Sequence, residues 1–296
     1  MTSLPTTTVA PAKPRMPLRT RLLIFFTAWA ILALPFLFWR SSWFGRPLND
    51  SEISQYLRDD AKPRHIQHAL VQIGERIGRG RNRGLPAAQV AGAWYPELVR
   101  LASYKVEEIR NTDAWLMGQD PTRPEFHDAL RKMLADPSAN VRSNAALSLV
   151  SFGDVAGHDQ IVAMLQPHTV TSPVAGRVAQ AAKAGDPIRS GTMLARIEDA
   201  AGASTDVRSP ITGTVKSIAT QRGQPVAQGA AVAVVDPGPE QVWEGLRGLF
   251  LIGTPNDLPL VKSFQSRGGE LGQKVRQQAV ETEKEIARRA AGAPPR

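Results

Sequence analysis

The chain has 296 residues, 42% of them apolar, enough for one large core or two modest ones, and its 24 glycines and 23 prolines imply many interruptions. It holds no cysteine, which excludes disulfides, thiolate metal sites and thiol catalysis together. The formal charge of +9 gathers toward the start, where Lys13, Arg15, Arg19, Arg21, Arg40 and Arg46 face Asp50 alone, a pattern of membrane topology rather than of nucleic-acid binding.

Residues 1–12, with Thr6, Thr7, Thr8 and several prolines, read as disordered, and 1–21 as a basic cytoplasmic segment. Leu22 to Trp39, LLIFFTAWAILALPFLFW, carries no charge and predicts a transmembrane helix over 22–39. Trp43 and Phe44 extend it into the interface, where aromatics are favoured. The excess of Lys and Arg before the span predicts a single-pass inner-membrane protein with a cytoplasmic N-terminus and its bulk in the periplasm. A signal peptide cleaved near Ala28-Trp29-Ala30 is the competing reading, against which the apolar run continues past that site.

Helical periodicity dominates residues 50–166. His65 and His68 share one helix face and could share a metal, but no third ligand lies near in sequence, so packing or surface roles are expected. Glu75 to Arg83, ERIGRGRNR, reads as a basic loop facing lipid headgroups or solvent. Trp94, Tyr95 and Trp115 are expected between helices. Phe126, Ala129, Leu130 and Met133 form one helical stripe, and Val141, Ala145, Leu149 and Phe152 a second. Thr122 and Glu125 are spaced as a capping box for the first helix; Asp136 is placed to cap the second, with Pro137 in its first turn and Gly153 closing it.

The run Asp136-Pro137, Val141-Arg142, Ala145-Ala146, Leu149 and Gly153-Asp154 resembles a HEAT repeat of the phycobilisome-lyase type. Looser copies run through Arg64, Ala69, Leu70, Ile73 and Gly74, through Ile109-Arg110, Ala114, Leu116 and Gly118, and through Val242, Leu246, Leu249 and Gly253. The resemblance implies stacked helix pairs in an α-solenoid, with the Asp and Arg tying successive turns together.

Leu134 and Val141 are seven positions apart, whereas the corresponding step from Leu165 to Val242 takes 77. The intervening residues lose the helical period and alternate in short β-branched runs punctuated by Gly and Pro, which predicts an inserted β domain over 168–238. The insert is duplicated: Ser172-Pro173, Gly176, Val178, Gly185, Pro187 and Gly191 recur as Ser209-Pro210, Gly213, Val215, Gly223, Pro225 and Gly229. This pattern resembles the biotinyl/lipoyl barrel-sandwich, its glycines being expected at turns that need positive φ. A carrier domain of that family needs a lysine at the hairpin tip between the halves, and residues 198–209 contain none; neither Lys183 nor Lys216 is expected to be modified. The insert is also similar to zinc peptidases of the lysostaphin type, but the absence of histidine from Thr169 to Arg296 removes that reaction's ligands. The resemblance to periplasmic adaptor (membrane fusion) proteins implies a lysine-free lipoyl-like module behind an N-terminal anchor; those proteins, however, carry a long helical hairpin between the halves where this chain has about a dozen residues. The tip, Asp199 to Asp206, reads as a mobile loop or contact surface.

Residues 240–291 read as further helical repeat and a charged terminal helix, with Glu281, Glu285 and Arg289 spaced for ion pairs on a thin apolar stripe that suits a solvated cap. The reading as a whole is an α+β multidomain protein: transmembrane helix, HEAT-like α-solenoid over 50–166 and 240–291, and an inserted all-β lipoyl-like module. It implies a membrane-anchored scaffold or adaptor for other envelope or membrane proteins, with an accessory subunit of a transport or secretion system as the alternative. No enzyme activity, catalytic residue, metal, cofactor, nucleic acid or small-molecule substrate is expected.

Overall fold

The computed structural model describes residues 17–41, 46–266 and 271–292, with the backbone alone at 21, 32 and 35–41. The chain to Asp50 forms one unit and Ser51–Arg296 a second. In the first, helix α1 spans Leu18–Ser41, starting before the expected span. Its sequence includes Arg19, Arg21 and Arg40. A hydrocarbon core is about 30 Å thick, and among the described residues no helix is long and apolar enough to cross a membrane. The expected transmembrane helix over 22–39 is corrected accordingly, and the inner-membrane, periplasmic placement built on it goes with it. Residues 1–16 of the expected disordered segment, and Trp43 and Phe44, lie outside the described residues.

The second unit opens with α2 (Asp50–Leu57), α3 (Pro63–Arg81) and the short α4 (Ala87–Ala91). Helix hairpins follow: α5 (Tyr95–Leu101) with α6 (Glu107–Met117), then α7 (Pro124–Met133) with α8 (Ala139–Ser151). In α7 the side chains of Phe126, Ala129, Leu130 and Met133 are buried, as their spacing requires. Full burial of Phe126 contributes about 2–3 kcal/mol. After α9 (His158–Met164) the chain enters the β module and emerges into α10 (Pro239–Ile252), α11 (Leu258–Ser266) and α12 (Gln273–Ala290). Helices α9 and α10 pack closely although the module separates them in sequence: a Cβ on Gly245 or Gly248 would press into the side chains of Leu165 and Ile161.

Both expected caps are corrected. The residue before α7 is Arg123, without a side-chain cap; Thr122 instead donates its hydroxyl to Asp120 at 2.6 Å. Ser138, not Asp136, caps α8 by accepting from the Val141 N–H. Asp136 accepts the Ser138 N–H at 2.8 Å and a two-pronged bond from Arg110 at 2.6 and 2.9 Å. The expected basic loop is helical through Arg81, whose guanidinium reaches Gln119 at 2.7 Å. Trp94 and Tyr95 are buried, but Trp115 is 47% exposed, lying over Gly74.

The terminal helix α12 is packed rather than solvated. Val275, Ala279 and Ile286 are buried in the core that α10 and α11 share, and Thr282 donates to the Leu246 carbonyl at 2.9 Å. Arg289 pairs with Glu285 as the spacing implied, and also donates to the Gly253 and Phe250 carbonyls, satisfying the end of α10.

The β module has eight strands: β1 (His168–Thr171), β2 (Gly176–Ala181), β3 (Pro187–Ile188), β4 (Met193–Glu198), β5 (Ser204–Arg208), β6 (Gly213–Ile218), β7 (Pro225–Val226) and β8 (Ala231–Pro237). They form two antiparallel sheets, ordered β1-β8-β6-β3 and β5-β4-β2-β7. Inward positions fill a separate core around Val178, Leu194, Ile197, Val215, Val232 and Val235. First and last strands pair directly, His168 opposite Val235. Entry and exit of the module therefore stand side by side.

Candidate functional site

The duplication seen in the sequence appears as reciprocal hydrogen bonding. The Gly185 N–H donates to the Val215 carbonyl at 2.8 Å, and in the other half the Gly223 N–H donates to Val178 at 2.7 Å. Gly191 donates to Ser209 at 2.7 Å, and Gly229 to Ser172 at 2.8 Å. The Ser172 hydroxyl donates to Val174 at 2.6 Å, and Ser209 to Ile211 at 2.7 Å. Each half thus completes the turns of the other, so neither closes alone. Gly185 and Gly223 adopt φ of 90° and 87°, as expected of turn glycines. Gly176 and Gly213 do not: both keep negative φ, and a Cβ there would collide with the Glu198 and Asp236 carbonyls. Their role is close backbone approach.

The hairpin tip joins β4 to β5 through Asp199 to Ala203. It is a self-closed turn rather than an open loop: Asp199 Oδ1 accepts the Ala201 and Ala203 N–H groups, both at 2.9 Å. No lysine lies in it, and Ser204 to Asp206 belong to β5. Behind the tip, Asp206 accepts from Arg196 and Arg208, both at 2.7 Å, and these arginines hold its carboxyl below the usual range. Lys183 lies in the turn after β2, and Lys216 on β6 facing Asp236 at 3.4 Å.

The module touches the helices at its opposite end, where Asn140 of α8 donates to the Pro210 carbonyl at 3.0 Å. A crevice beside that junction is lined by Ile188, Thr212, Pro237, Pro239 and Leu271.

The helical part carries a recurring polar staple that the sequence reading missed. At the start of each hairpin an aromatic or imidazole side chain meets an aspartate from the loop after its second helix. Tyr95 donates to Asp120 at 2.7 Å, His127 Nε2 meets Asp154 at 2.7 Å, and His158 Nε2 meets Asp257 at 2.9 Å. The separations are 25, 27 and 99 residues, the last spanning the β module. Bonds from Arg131, the Ala156 N–H and His127 lower Asp154 to about 2 against a smaller burial effect. Burial, the largest single influence, would lower His158, but the bonds and charges of Asp257 and Asp159 together outweigh it and leave it raised. A second recurrence involves arginine: Arg110 donates to the Tyr104 carbonyl at 2.7 Å, and Arg142 to the Asp136 carbonyl at 2.8 Å, each six residues back. The signal in the sequence was the Asp that follows Gly118 and Gly153 by one or two positions.

The two histidines weighed as a metal pair have other engagements. His65 bonds Asp59 at 2.6 Å and stacks on Tyr56, and His68 is buried. Among the described residues no cluster of three His, Asp or Glu could hold a metal ion. One carboxyl stands apart: Asp113 on α6 is fully buried, neither oxygen has a hydrogen-bond partner among the described residues, and desolvation pushes its pKa well above the usual carboxylate range.

The sequence profile of the family described as Biotin-requiring enzyme matches residues 168–235, so this segment is a biotinyl/lipoyl-type domain. No curated protein matches the chain. A solved structure described as a single-chain, multi-domain long-chain acyl-CoA carboxylase is similar over 52% of this chain at 17% identity and a TM-score of 0.23. The chain spans 14% of that protein's length.

Proposed function

We propose that the chain is a non-catalytic scaffold or adaptor, in which HEAT-type helix pairs hold out a biotinyl/lipoyl-type module that binds another protein. The observation that carries this reading is the tip. Where a carrier would present a lysine on an exposed hairpin, this module has a short turn locked by Asp199. A covalently attached arm needs an amine there to reach a distant active site. The module has kept its core and lost the position of the arm, which leaves its rigid surface as the working part. The repeated staples and arginine contacts support the HEAT-type reading, because one tie recurring at the same place is what stacked copies of a unit produce.

The test is affinity purification of the full-length protein with intact-mass spectrometry on the same sample. A mass equal to the bare chain, with defined proteins retained on wild type but lost from a variant carrying substitutions on the β4–β5 hairpin, supports the adaptor. A mass raised by a biotinyl or lipoyl group sinks it and makes the chain a carrier.

A further inference from the structure

A cleft of about 700 Å³ opens between the two halves of the β module, lined by Gln180, Ala182 and Lys183 from one half and Ile218, Thr220 and Arg222 from the other. The duplication explains its charge. The Lys183 N–H donates to Asp186 Oδ2 at 2.9 Å, and at the equivalent place the Gln221 N–H donates to Gln224 Oε1 at 2.7 Å. Each equivalent turn thus sets one cation at the cleft, Lys183 in the first and Arg222 in the second. No carboxylate lines it. Elsewhere in the module Arg196 and Arg208 share Asp206, Lys216 faces Asp236, and Arg177 donates to the Gly223 carbonyl, while Arg189, like the two cleft cations, has no ion pair among the described residues but lies away from the cleft. Lys183 and Arg222 have no ion-pair partner among the described residues. Thr220 supplies an independent sign. It lines the cleft, is 7% exposed, and its hydroxyl lacks a hydrogen-bond partner among the described residues. Buried donors without partners are uncommon in folded proteins.

We propose that this cleft binds a small, multiply charged oxyanion, phosphate- or carboxylate-bearing, held by Lys183 from one half and Arg222 from the other, with the Thr220 hydroxyl as donor in the floor. Two cations at a cleft that no carboxylate lines favour such a ligand over a monoanion. The cleft is separate from the hairpin tip, so an anion there can be bound while the tip engages a partner.

Full-length protein is titrated calorimetrically with pyrophosphate and, in parallel, with citrate, at low and at raised ionic strength. Saturable binding of one ion per chain is expected, weakening as salt screens the charges; the tighter of the two anions tells a phosphate-bearing from a carboxylate-bearing ligand. Lys183→Ala and Arg222→Ala each lower affinity by about fivefold or more, as expected for one charge pair near 4 Å in water. Thr220→Val weakens binding without changing its salt dependence, and Lys216→Ala leaves it unchanged. Absence of binding to both anions overturns the proposal. So does binding that survives in a folded Lys183→Ala/Arg222→Ala variant, since the attraction would then come from net charge alone.

Discussion

Single residues here differ most in how their polar groups are matched. Arg110 and Asp136 are a nearly buried pair, with side chains 12% and 7% exposed, joined by two bonds across consecutive hairpins. Removing one partner strands the other, so Arg110→Ala is expected to cost about 3 kcal/mol in urea unfolding. Asp113 is the opposite case, with no hydrogen-bond partner among the described residues. Because its folded pKa is raised, the unfolded chain releases a proton that the folded one keeps, and stability falls as pH rises above about 4. Asp113→Leu, nearly equal in shape, is expected to stabilise the fold at pH 7 by about 1–3 kcal/mol and to flatten that pH slope. A slope unchanged in the variant would show that Asp113 is not its source. The His158–Asp257 staple titrates from both sides. Raised His158 contributes stability that is complete below about pH 6.5 and lost as pH rises through its folded value; lowered Asp257 contributes above about pH 4 and is lost on acidification. His158→Gln should therefore lower Tm by about 2–4 °C between those limits, with the gap closing in alkali. A pH-independent gap would reduce the staple to packing.

Among the elements, those specified by local spacing were legible from the sequence. The β strands announced themselves because Ser-Pro, Gly and β-branched residues recur at a fixed offset, and the α7 stripe because its period is helical. What was misread depends on distant partners. Asp136 has the composition of a cap, but Arg110 from the preceding hairpin claims its carboxylate, and Ser138 caps instead. The charged α12 looked solvated because a stripe of Val275, Ala279 and Ile286 is narrow, yet α10 and α11 close over it. The glycines of the SPxxG segments were assigned to turns, a rule that cannot see a carbonyl arriving from another strand. Gly213→Ala is accordingly expected to unfold the β module selectively, seen as lost near-ultraviolet and amide-exchange signals for its strands while far-ultraviolet helicity persists; a fully protected module would refute the close-approach account.

At the scale of the whole molecule, the helices and the β module have separate cores, and the module is joined by neighbouring ends plus the Asn140 contact. Excising 168–238 and joining Pro167 to Pro239 through a short Gly-Ser link should leave the helical stack folded by circular dichroism. Collapse of the helices would show that the module is part of their core. The staples carry one more implication, for the order of folding. Tyr95–Asp120 and His127–Asp154 close loops of similar length, but His158–Asp257 must join residues 99 apart. With the insert unstructured, that closure costs about 1 kcal/mol more than the others. Once β1 has paired with β8, His168 and Val235 stand about 5 Å apart, and the route from His158 to Asp257 shortens to that of an ordinary hairpin. The β module then serves the third hairpin as its turn, and the hairpin closes at lower cost when that turn is built first.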